Sequence, residues 1–283
     1  MITRLLSLSL LTAGFVSAAD GTFNDALHFS WLANAGWVNW KPGGDSAKVG
    51  LSFCSGWIYS ANVGWIHLGD GSPDNGWSYS GTSATDYGVN LAPGGLLTGY
   101  AWCPNAGWIN FEQTHGRPSV NMVTGALTGY VWSANLGWME LNDSQLATDS
   151  ITCTDTDGDA IDDAWEMQYW TKLTAADALS DADLDGVTDG AEFSGGTDPL
   201  TPSGGLQISD ADWRLGVPRV KIFFTAVATR VYKAQLSTDL QSWTDTDSGW
   251  IGGTGSVSLS VSLPAGERRV FVRVAAAKPI PAP

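Results

Sequence analysis

One six-residue phrase, written four times, constrains the fold of this chain more than any other feature. The copies read LANAGW, SANVGW, CPNAGW and SANLGW, and their asparagines are Asn34, Asn62, Asn105 and Asn135. The spacings between these asparagines are 28, 43 and 30 residues. A unit of about 30 residues cannot bury its apolar face alone, whereas neighbouring units can bury it together. The phrase therefore predicts a repeat domain of four units.

Aromatic residues occupy the same three columns in every copy, five and three positions before the asparagine and three positions after it. In chain order they are Phe29, Trp31, Trp37, Trp57, Tyr59, Trp65, Tyr100, Trp102, Trp108, Tyr130, Trp132 and Trp138. We call the tryptophan that ends each phrase the copied tryptophan: Trp37, Trp65, Trp108 and Trp138. An aliphatic residue follows each of them: Val38, Ile66, Ile109 and Met139. The two-residue spacing of the first aromatics predicts a strand with one buried face, and Asn-x-Gly predicts a turn. Each copy is thus predicted to form a β-hairpin.

The last two copies extend further towards the N-terminus, because residues 87–102 and 118–132 match one another. This match predicts a third strand in each of those units, and residues 70–86 are predicted to form an insertion loop. Three architectures fit the pattern: a β-solenoid, a curved sheet and a small propeller-like ring.

The copied tryptophans have two interpretations. Buried, they would hold the units together, since an aromatic side chain removes a large apolar area from water. Exposed, they would form a platform for sugars or peptides. The candidate ligand-binding residues are Trp57, Trp77, Trp102 and Trp132.

A dense block of acidic residues follows the repeats. The formal net charge is -15, and residues 155–198 contain 13 acidic residues against one lysine, Lys172. Nucleic-acid binding through phosphate neutralisation is excluded by such a balance. The block needs cations or disorder to relieve its charge, so a solvated acidic linker is the alternative to a metal site.

Two twelve-residue segments in this block have the spacing of EF-hand-like calcium loops, DTDGDAIDDAWE at 155–166 and DADLDGVTDGAE at 181–192. Hard oxygen ligands at positions 1, 3, 5, 7, 9 and 12 wrap Ca²⁺, with a backbone carbonyl at position 7. The predicted ligands are Asp155, Asp157, Asp159, Ile161, Asp163 and Glu166, then Asp181, Asp183, Asp185, Val187, Asp189 and Glu192. Position 6 favours glycine, but the first loop has Ala160 there. We therefore expect the first site to be weaker or shifted in geometry.

The rest of the chain completes a mainly β protein. Residues 1–19 have the charge and apolar pattern of a signal peptide, and no later stretch is apolar enough to span a membrane. Alternating strand patterns near the C-terminus predict a small β-sandwich. The predicted organisation is a signal peptide (1–19), the tryptophan-rich repeat domain (20–146), a short helical calcium module (147–203), the sandwich (204–278) and a loose tail (279–283). Of the three cysteines, we favour a Cys54–Cys103 disulfide, although either could pair with Cys153 instead.

These segments together resemble a recurrent architecture of exported bacterial surface proteins. The resemblance is carried by the GYxWSxNxGW-type repeats, the DxDGDxxxDxWE…GTDP segment and the VYKAQLSTDLQSWTD…RRVFVRVA ending. The middle segment is similar to thrombospondin type 3 and dockerin calcium repeats, and the last one to fibronectin-like sandwiches. The resemblance implies an exported location and Ca²⁺ as cofactor, and it implies no reaction. The two predicted helices differ too much for dockerin-type cohesin binding.

No catalytic motif stands out: the chain has no G-x-S-x-G, H-E-x-x-H or phosphate loop. We therefore expect a non-catalytic, secreted or cell-surface protein, with the periplasm as another possible location, in a structural or adhesive role. Its partners would be glycans or other surface proteins. One alternative is a carbohydrate-binding module that uses exposed tryptophans, and another is a divergent glycoside hydrolase. For the hydrolase the carboxylate candidates are Asp70, Asp74, Glu112 and Glu140.

Overall fold

Four β-hairpins, one for each copy of the phrase, form the first domain. The structure is a computed structural model, and it describes residues 21–152, 154–202, 205–213, 218–265 and 269–281. The predicted signal peptide and Cys153 lie outside the described residues. The strands of this domain are β1 (Phe23–Leu32), β2 (Gly36–Asn39), β3 (Lys48–Val49), β4 (Cys54–Ser60), β5 (Gly64–Gly69), β6 (Val89–Leu91), β7 (Leu97–Cys103), β8 (Gly107–Asn110), β9 (Ser119–Val120), β10 (Leu127–Ser133), β11 (Gly137–Leu141) and β12 (Leu146–Thr148).

Eight of these strands close into an antiparallel barrel. Each hairpin pairs with the next through β2–β4, β5–β7 and β8–β10, and β11 returns to pair with β1. The closing contact includes a hydrogen bond from the Ala33 N–H to the Trp138 carbonyl at 2.8 Å. The predicted solenoid is therefore wrong, and the predicted curved sheet closes on itself. A ring was among the predicted alternatives, but the units form one barrel wall rather than separate blades.

The repeated columns divide between the inside and the outside of this wall. Residues four positions after each asparagine point inward and are fully buried: Val38, Ile66, Ile109 and Met139. Inward positions before the asparagine carry Ser, Ile, Ala, Val, Leu and Cys side chains, which are small or of medium size. An eight-stranded barrel leaves an interior just wide enough for such side chains to fill. The aliphatic columns therefore form the core, and the aromatic columns face outward.

The asparagine and glycine of the phrase shape the hairpin turns. Each glycine has a positive φ, between 76° and 94° in the four copies, which an L side chain adopts only with strain. The asparagine side chain forms a hydrogen bond with the backbone of the preceding unit: Asn62 Nδ2 donates to the Ala35 carbonyl at 2.9 Å. Asn105 and Asn135 repeat this bond at 2.8 and 2.9 Å. Asn34 Nδ2 lies beside Gly137 of the fourth unit, 3.1 Å from the position that a Cβ on this glycine would occupy. The four asparagines therefore form a ring that links neighbouring units at one end of the barrel.

A short third strand flanks each hairpin. Strands β6 and β9 match the two that were predicted, and β3 adds one to the second unit. The first unit takes its third strand from the far end of the domain, because β12 pairs with β1. The chain therefore joins the beginning and end of the repeat domain twice, and β12 continues two residues past the predicted boundary at 146.

The favoured Cys54–Cys103 disulfide is absent, since both side chains are free, buried cysteines. The two residues occupy different levels of the barrel. Cys103 stands two positions before its asparagine, whereas Cys54 stands eight positions before its own. Six residues of strand correspond to about 20 Å, which is far beyond the reach of a disulfide.

The acidic module contains two short helices, α1 (Asp163–Tyr169) and α2 (Asp189–Gly195). A small apolar cluster of Ile161, Trp165, Ala176 and Phe193 holds them together. The Trp165 and Phe193 rings lie 5.3 Å apart in an edge-to-face arrangement. Within the described ranges, no helix combines the length and apolar character needed to cross a membrane.

Two antiparallel sheets form the last domain, consistent with the predicted sandwich. The strands are β13 (Ile208–Trp213), β14 (Arg219–Ala226), β15 (Val231–Ser237), β16 (Thr244–Asp245), β17 (Ile251–Gly252), β18 (Gly255–Ser262) and β19 (Phe271–Ala277). One sheet has the order β13-β14-β18, and β15 pairs with β16, β17 and β19 in the other. Both sheets contribute to one apolar core that includes Ile222, Phe224, Tyr232 and Val261.

The predicted loose tail is instead attached to the other domains over the residues that are described. The Ile280 N–H donates to the Met122 carbonyl of the barrel at 2.8 Å, and Pro279 is buried. Lys278 forms an ion pair with Asp162 of the acidic module at 2.6 Å. The end of the chain therefore contacts both preceding domains.

Candidate functional sites

The aromatic girdle

Twelve aromatic rings surround the barrel on its outer face. We call this set the aromatic girdle: Phe29, Trp31, Trp37, Trp57, Tyr59, Trp65, Tyr100, Trp102, Trp108, Tyr130, Trp132 and Trp138. The copied tryptophans are the most exposed column, from 51% of the side chain for Trp37 to 39% for Trp138. The interpretation of these tryptophans as core residues is therefore wrong. Trp40, only three residues after Trp37, is 2% exposed.

Strand register sets the geometry within each unit. Trp31 pairs with Trp37 across the first hairpin, and their ring centroids lie 5.1 Å apart at 81°. The other three units have the same pair at 4.7 to 4.9 Å and 58° to 62°. Edge-to-face pairs of this kind contribute about 0.5–1.5 kcal/mol beyond area burial. The pairs therefore hold the rings in fixed orientations while each copied tryptophan remains 39% to 51% exposed.

The predicted ligand-binding residues divide between two places. Trp57, Trp102 and Trp132 belong to the girdle. Trp77, in the insertion loop, instead lines a cavity of about 280 Å³ together with Tyr169 of α1. The copied tryptophans, which the platform interpretation also included, are more exposed than these four rings.

The carboxylates considered for a glycosidase are distributed over separate units. Asp70 and Asp74 lie in the insertion between the second and third hairpins, Glu112 follows the third, and Glu140 lies on β11 of the fourth. Glu112 Oε2 accepts a hydrogen bond from the Tyr100 hydroxyl at 3.3 Å. This contact places a carboxylate beside a ring of the girdle.

The two acidic loops

Each acidic loop brings three of its predicted ligands together. One carboxylate oxygen from each of Asp155, Asp157 and Asp159 lies within 4.8 Å of the others, and Asp181, Asp183 and Asp185 form the same group in the second loop. These are positions 1, 3 and 5 of both loops. The converging oxygens would suit a hard divalent cation, which prefers oxygen ligands.

The glutamates at position 12 are buried as carboxylates without adequate partners. Glu166 and Glu192 are both 0% exposed. Neither carboxylate oxygen of Glu166 has a hydrogen-bond partner among the described residues, and the same holds for Oε2 of Glu192. Leaving a buried charged group without a partner is strongly unfavourable. A positive charge placed beside either glutamate would therefore stabilise its carboxylate.

Burial and neighbouring charges act in the same direction on these groups. Burial, with the Asp159 charge second, raises the pKa of Glu166 to about 7. Burial also raises the pKa of Glu192 to about 7, with the Asp183 charge adding to the effect. Both carboxylates lie in sites that disfavour their charged form when no cation balances it.

The aspartates at position 9 hold the loops closed. Asp163 accepts hydrogen bonds from the N–H and hydroxyl of Thr156, at 2.7 and 2.6 Å. Asp189 accepts from the Ala182 N–H at 3.1 Å and from the Ser180 hydroxyl. Both lie outside the clusters of positions 1, 3 and 5. The structure thus gives them a positioning role that the predicted ligand pattern did not indicate.

The position-7 residues pack beside the position-5 aspartates. The Ile161 N–H donates to Asp159 Oδ1, and the Val187 N–H donates to Asp185 Oδ1, both at 2.8 Å. Ile161 is also part of the apolar cluster between the helices. The Ile161 side chain therefore anchors the first loop, and the backbone carbonyl is the group that position 7 could offer to a cation.

The two loops carry comparable backbone strain, which removes the reason for expecting a weaker first site. Ala160 has φ +77° at position 6, as its place in the loop predicted. The second loop has glycine at position 6 but places Leu184 at φ +62° in position 4, where the first loop has Gly158. Each loop therefore holds one non-glycine residue in the left-handed region, at a cost of about 1 kcal/mol.

Comparisons with known proteins found no relative for this arrangement. No protein-family model matches the chain, no curated protein matches it, and no solved structure matches it.

Proposed function

We propose that this chain is a non-catalytic, secreted or cell-surface binding protein that adheres to neutral glycans through the aromatic girdle. The observation that carries the proposal is the exposure of the copied tryptophan in all four units. Ring pairing holds these tryptophans in place, so binding costs little side-chain ordering. Export, for which residues 1–19 are the proposed signal, makes extracellular glycans accessible.

The chemistry of the girdle favours sugars over charged polymers. The flat C–H faces of pyranose rings stack on aromatic faces, and sugar hydroxyls bond to polar groups at the ring edges. Outward polar residues follow each copied tryptophan by two positions: Asn39, His67, Asn110 and Glu140. The net charge of -15 opposes nucleic acids, anionic lipid surfaces and acidic polysaccharides.

The acidic loops are proposed to bind one Ca²⁺ each. Carboxylates at positions 1, 3 and 5 and the carbonyls of Ile161 and Val187 would supply ligands, with Glu166 and Glu192 binding through both oxygens. Neither cluster contains the histidine or cysteine ligands typical of zinc sites. A cation at each site would balance the two buried glutamates, and that requirement is the main support for the EF-hand-like interpretation.

Calcium would also fix how the domains are joined. Asp162, buried at the start of α1, is paired with Lys278 beyond the last strand of the sandwich. At the end of α2, the Phe193 carbonyl accepts hydrogen bonds from the buried guanidinium of Arg230. On the other side, the Thr152 N–H donates to Val49 of the barrel at 2.7 Å. Ordering the loops would therefore stiffen the connection between the barrel and the sandwich.

A binding assay tests the girdle. Purified protein with calcium is run in affinity gels containing cellulose derivatives, xylan, mannan or starch. We expect retardation by at least one of these polymers, and the fourfold variant Trp37→Ala/Trp65→Ala/Trp108→Ala/Trp138→Ala should lose it. Trp243→Ala, which removes a ring from the sandwich, is the control and should bind normally. Equal retardation of the fourfold variant would contradict the proposal.

A further inference from the structure

We call the line along which the strand of one hairpin pairs with the strand of the next a seam; the four seams are β2–β4, β5–β7, β8–β10 and β11–β1. The girdle is continuous across one seam and interrupted at the other three. At the seam of β5 and β7, ring contacts run from Trp65 through Trp57, His67 and Tyr87 to Trp108 and Trp102. The successive centroid distances are 6.4, 4.2, 5.7, 5.1 and 4.7 Å. Among the described residues, no comparable chain of rings crosses the other three seams.

Two departures from the repeat produce this continuity. At each seam, the residue five positions after the asparagine pairs with an aromatic residue of the neighbouring unit. Three of these residues are Asn39, Asn110 and Glu140, whereas the second unit has His67, which pairs with Trp102. The insertion at 70–86 then delivers Tyr87 to the same seam, and its ring meets Trp108.

The histidine and tyrosine also bring fixed polar atoms to this surface. His67 Nδ1 and the Tyr87 hydroxyl are 2.8 Å apart, and the imidazole stacks on Trp57 at 30°. Burial lowers the pKa of His67 below its usual value, with Asp70 and Asp45 acting in the opposite direction. The ring is therefore an uncharged hydrogen-bonding group near pH 7. Glu112 accepts a hydrogen bond from the hydroxyl of Tyr100, which lies on β7, one of the two strands of the seam.

We infer that this seam is the principal binding site of the girdle and that it takes a neutral polysaccharide chain along its row of rings. The inference rests on the proposed function and adds where on the barrel the ligand binds. Trp65 and Trp108, the most exposed rings of the row, offer stacking surface to sugars, and His67, Tyr87 and Glu112 offer hydrogen bonds to hydroxyls. The nearby carboxylates of Asp45, Asp70 and Glu112 oppose an anionic ligand.

The fourfold repeat supplies matched controls for the test. Trp65→Ala and Trp108→Ala remove copied tryptophans at the seam, while Trp37→Ala and Trp138→Ala remove their equivalents elsewhere. The exposed fractions of all four range only from 39% to 51%, so their effects on folding should be similar. The probe is the neutral polysaccharide that retards the unaltered protein, or the whole panel of xylan, mannan, starch and cellulose derivatives if none does.

The expected result is a loss of affinity of about tenfold or more for the two seam variants, as for loss of an aromatic anchor, and under threefold for the other two. Tyr87→Phe, which keeps the ring, should weaken binding less than Tyr87→Ala. Equal losses of affinity in all four tryptophan variants would show that the seam is not the principal binding site, while leaving the proposed function intact. Absence of binding to every polymer would overturn both. Self-association of the unaltered protein that Trp65→Ala abolishes would assign the seam to a second copy and overturn the inference.

Discussion

The barrel and the acidic module both use sequence repetition, but they bury opposite kinds of side chain. In the barrel, the repeated phrase places Val38, Ile66, Ile109 and Met139 inside a closed wall in which every hairpin pairs with two neighbours. In the acidic module, the repeated loop places Glu166 and Glu192 inside. The first arrangement buries apolar side chains against one another, and the second buries carboxylates that the proposed cation would balance. Repetition thus gives a closed wall in one region and, under the proposed calcium binding, a set of metal ligands in the other.

Removing calcium should separate the two regions most clearly. We expect chelation to lower the stability of the acidic module by several kcal/mol, since a ligand at a hundred times its Kd contributes about 2.7 kcal/mol per site. The barrel should keep its stability, because the core cluster of its described residues is apolar. Calorimetry of the full chain with calcium and with chelator should show the unfolding transition of the acidic module shift to lower temperature on chelation, while that of the barrel stays in place. Two transitions that move together would contradict the contrast.

Substituting Glu192→Gln should change stability in opposite directions in the two conditions. With calcium, loss of a bidentate ligand should destabilise the module by about 1–3 kcal/mol. With chelator, loss of a buried charge near Asp183 and Asp185 should stabilise it. Glu112→Gln, an exposed carboxylate on the barrel, is the control. Destabilisation of the Glu192 variant in both conditions would indicate a packing role instead.

Removing one member of the asparagine ring should have a moderate effect that does not depend on calcium. Asn105→Ala deletes the 2.8 Å bond to the Val63 carbonyl, so we expect a loss of about 0.5–1.5 kcal/mol. Urea unfolding followed by circular dichroism in calcium and in chelator would measure it. A loss that appears only with calcium would show that the barrel depends on the ion.

Relieving the backbone strain should have the smallest effect, and it should be similar for the two loops. Ala160→Gly and Leu184→Gly each place glycine where φ is positive, so each should stabilise the calcium-bound module by up to about 1 kcal/mol. Ala164→Gly, within α1, should instead destabilise it by a similar amount. Thermal unfolding in calcium would compare the three variants. A gain for Ala160→Gly alone would restore the expectation of unequal sites.

Local features of the fold could be predicted from the sequence, whereas closure could not. The hairpins, the turn glycines and the strands at 89–91 and 119–120 follow from spacing and turn chemistry. The barrel closes because β11 and β12 pair with β1. The paired residues are more than a hundred positions apart in the sequence. No local pattern encodes such contacts, so a solenoid and a closed ring were equally compatible with the units.

The direction of the tryptophans was ambiguous because both faces of each strand are apolar. A period of two shows that the residues alternate, but it does not say which set is inside. Side-chain size was the available signal: Ser30, Ile58, Ala101 and Val131 share one column, and only small or medium residues fit inside eight strands. The role of Asp163 and Asp189 in closing the loops had no such signal, because aspartate is also a ligand at that position.

Mapping tryptophan oxidation in calcium and in chelator tests the contrast between the two regions most directly. Limited N-bromosuccinimide treatment followed by peptide mass spectrometry would give a rate for each ring. We expect fast modification of Trp37 and protection of its near neighbour Trp40 in both conditions. Trp165, which is 5% exposed, should be protected only when calcium is present. Equal oxidation rates for Trp37 and Trp40 would contradict the outward direction of the copied tryptophans. A Trp165 rate that chelation does not change would contradict the dependence of the acidic module on calcium.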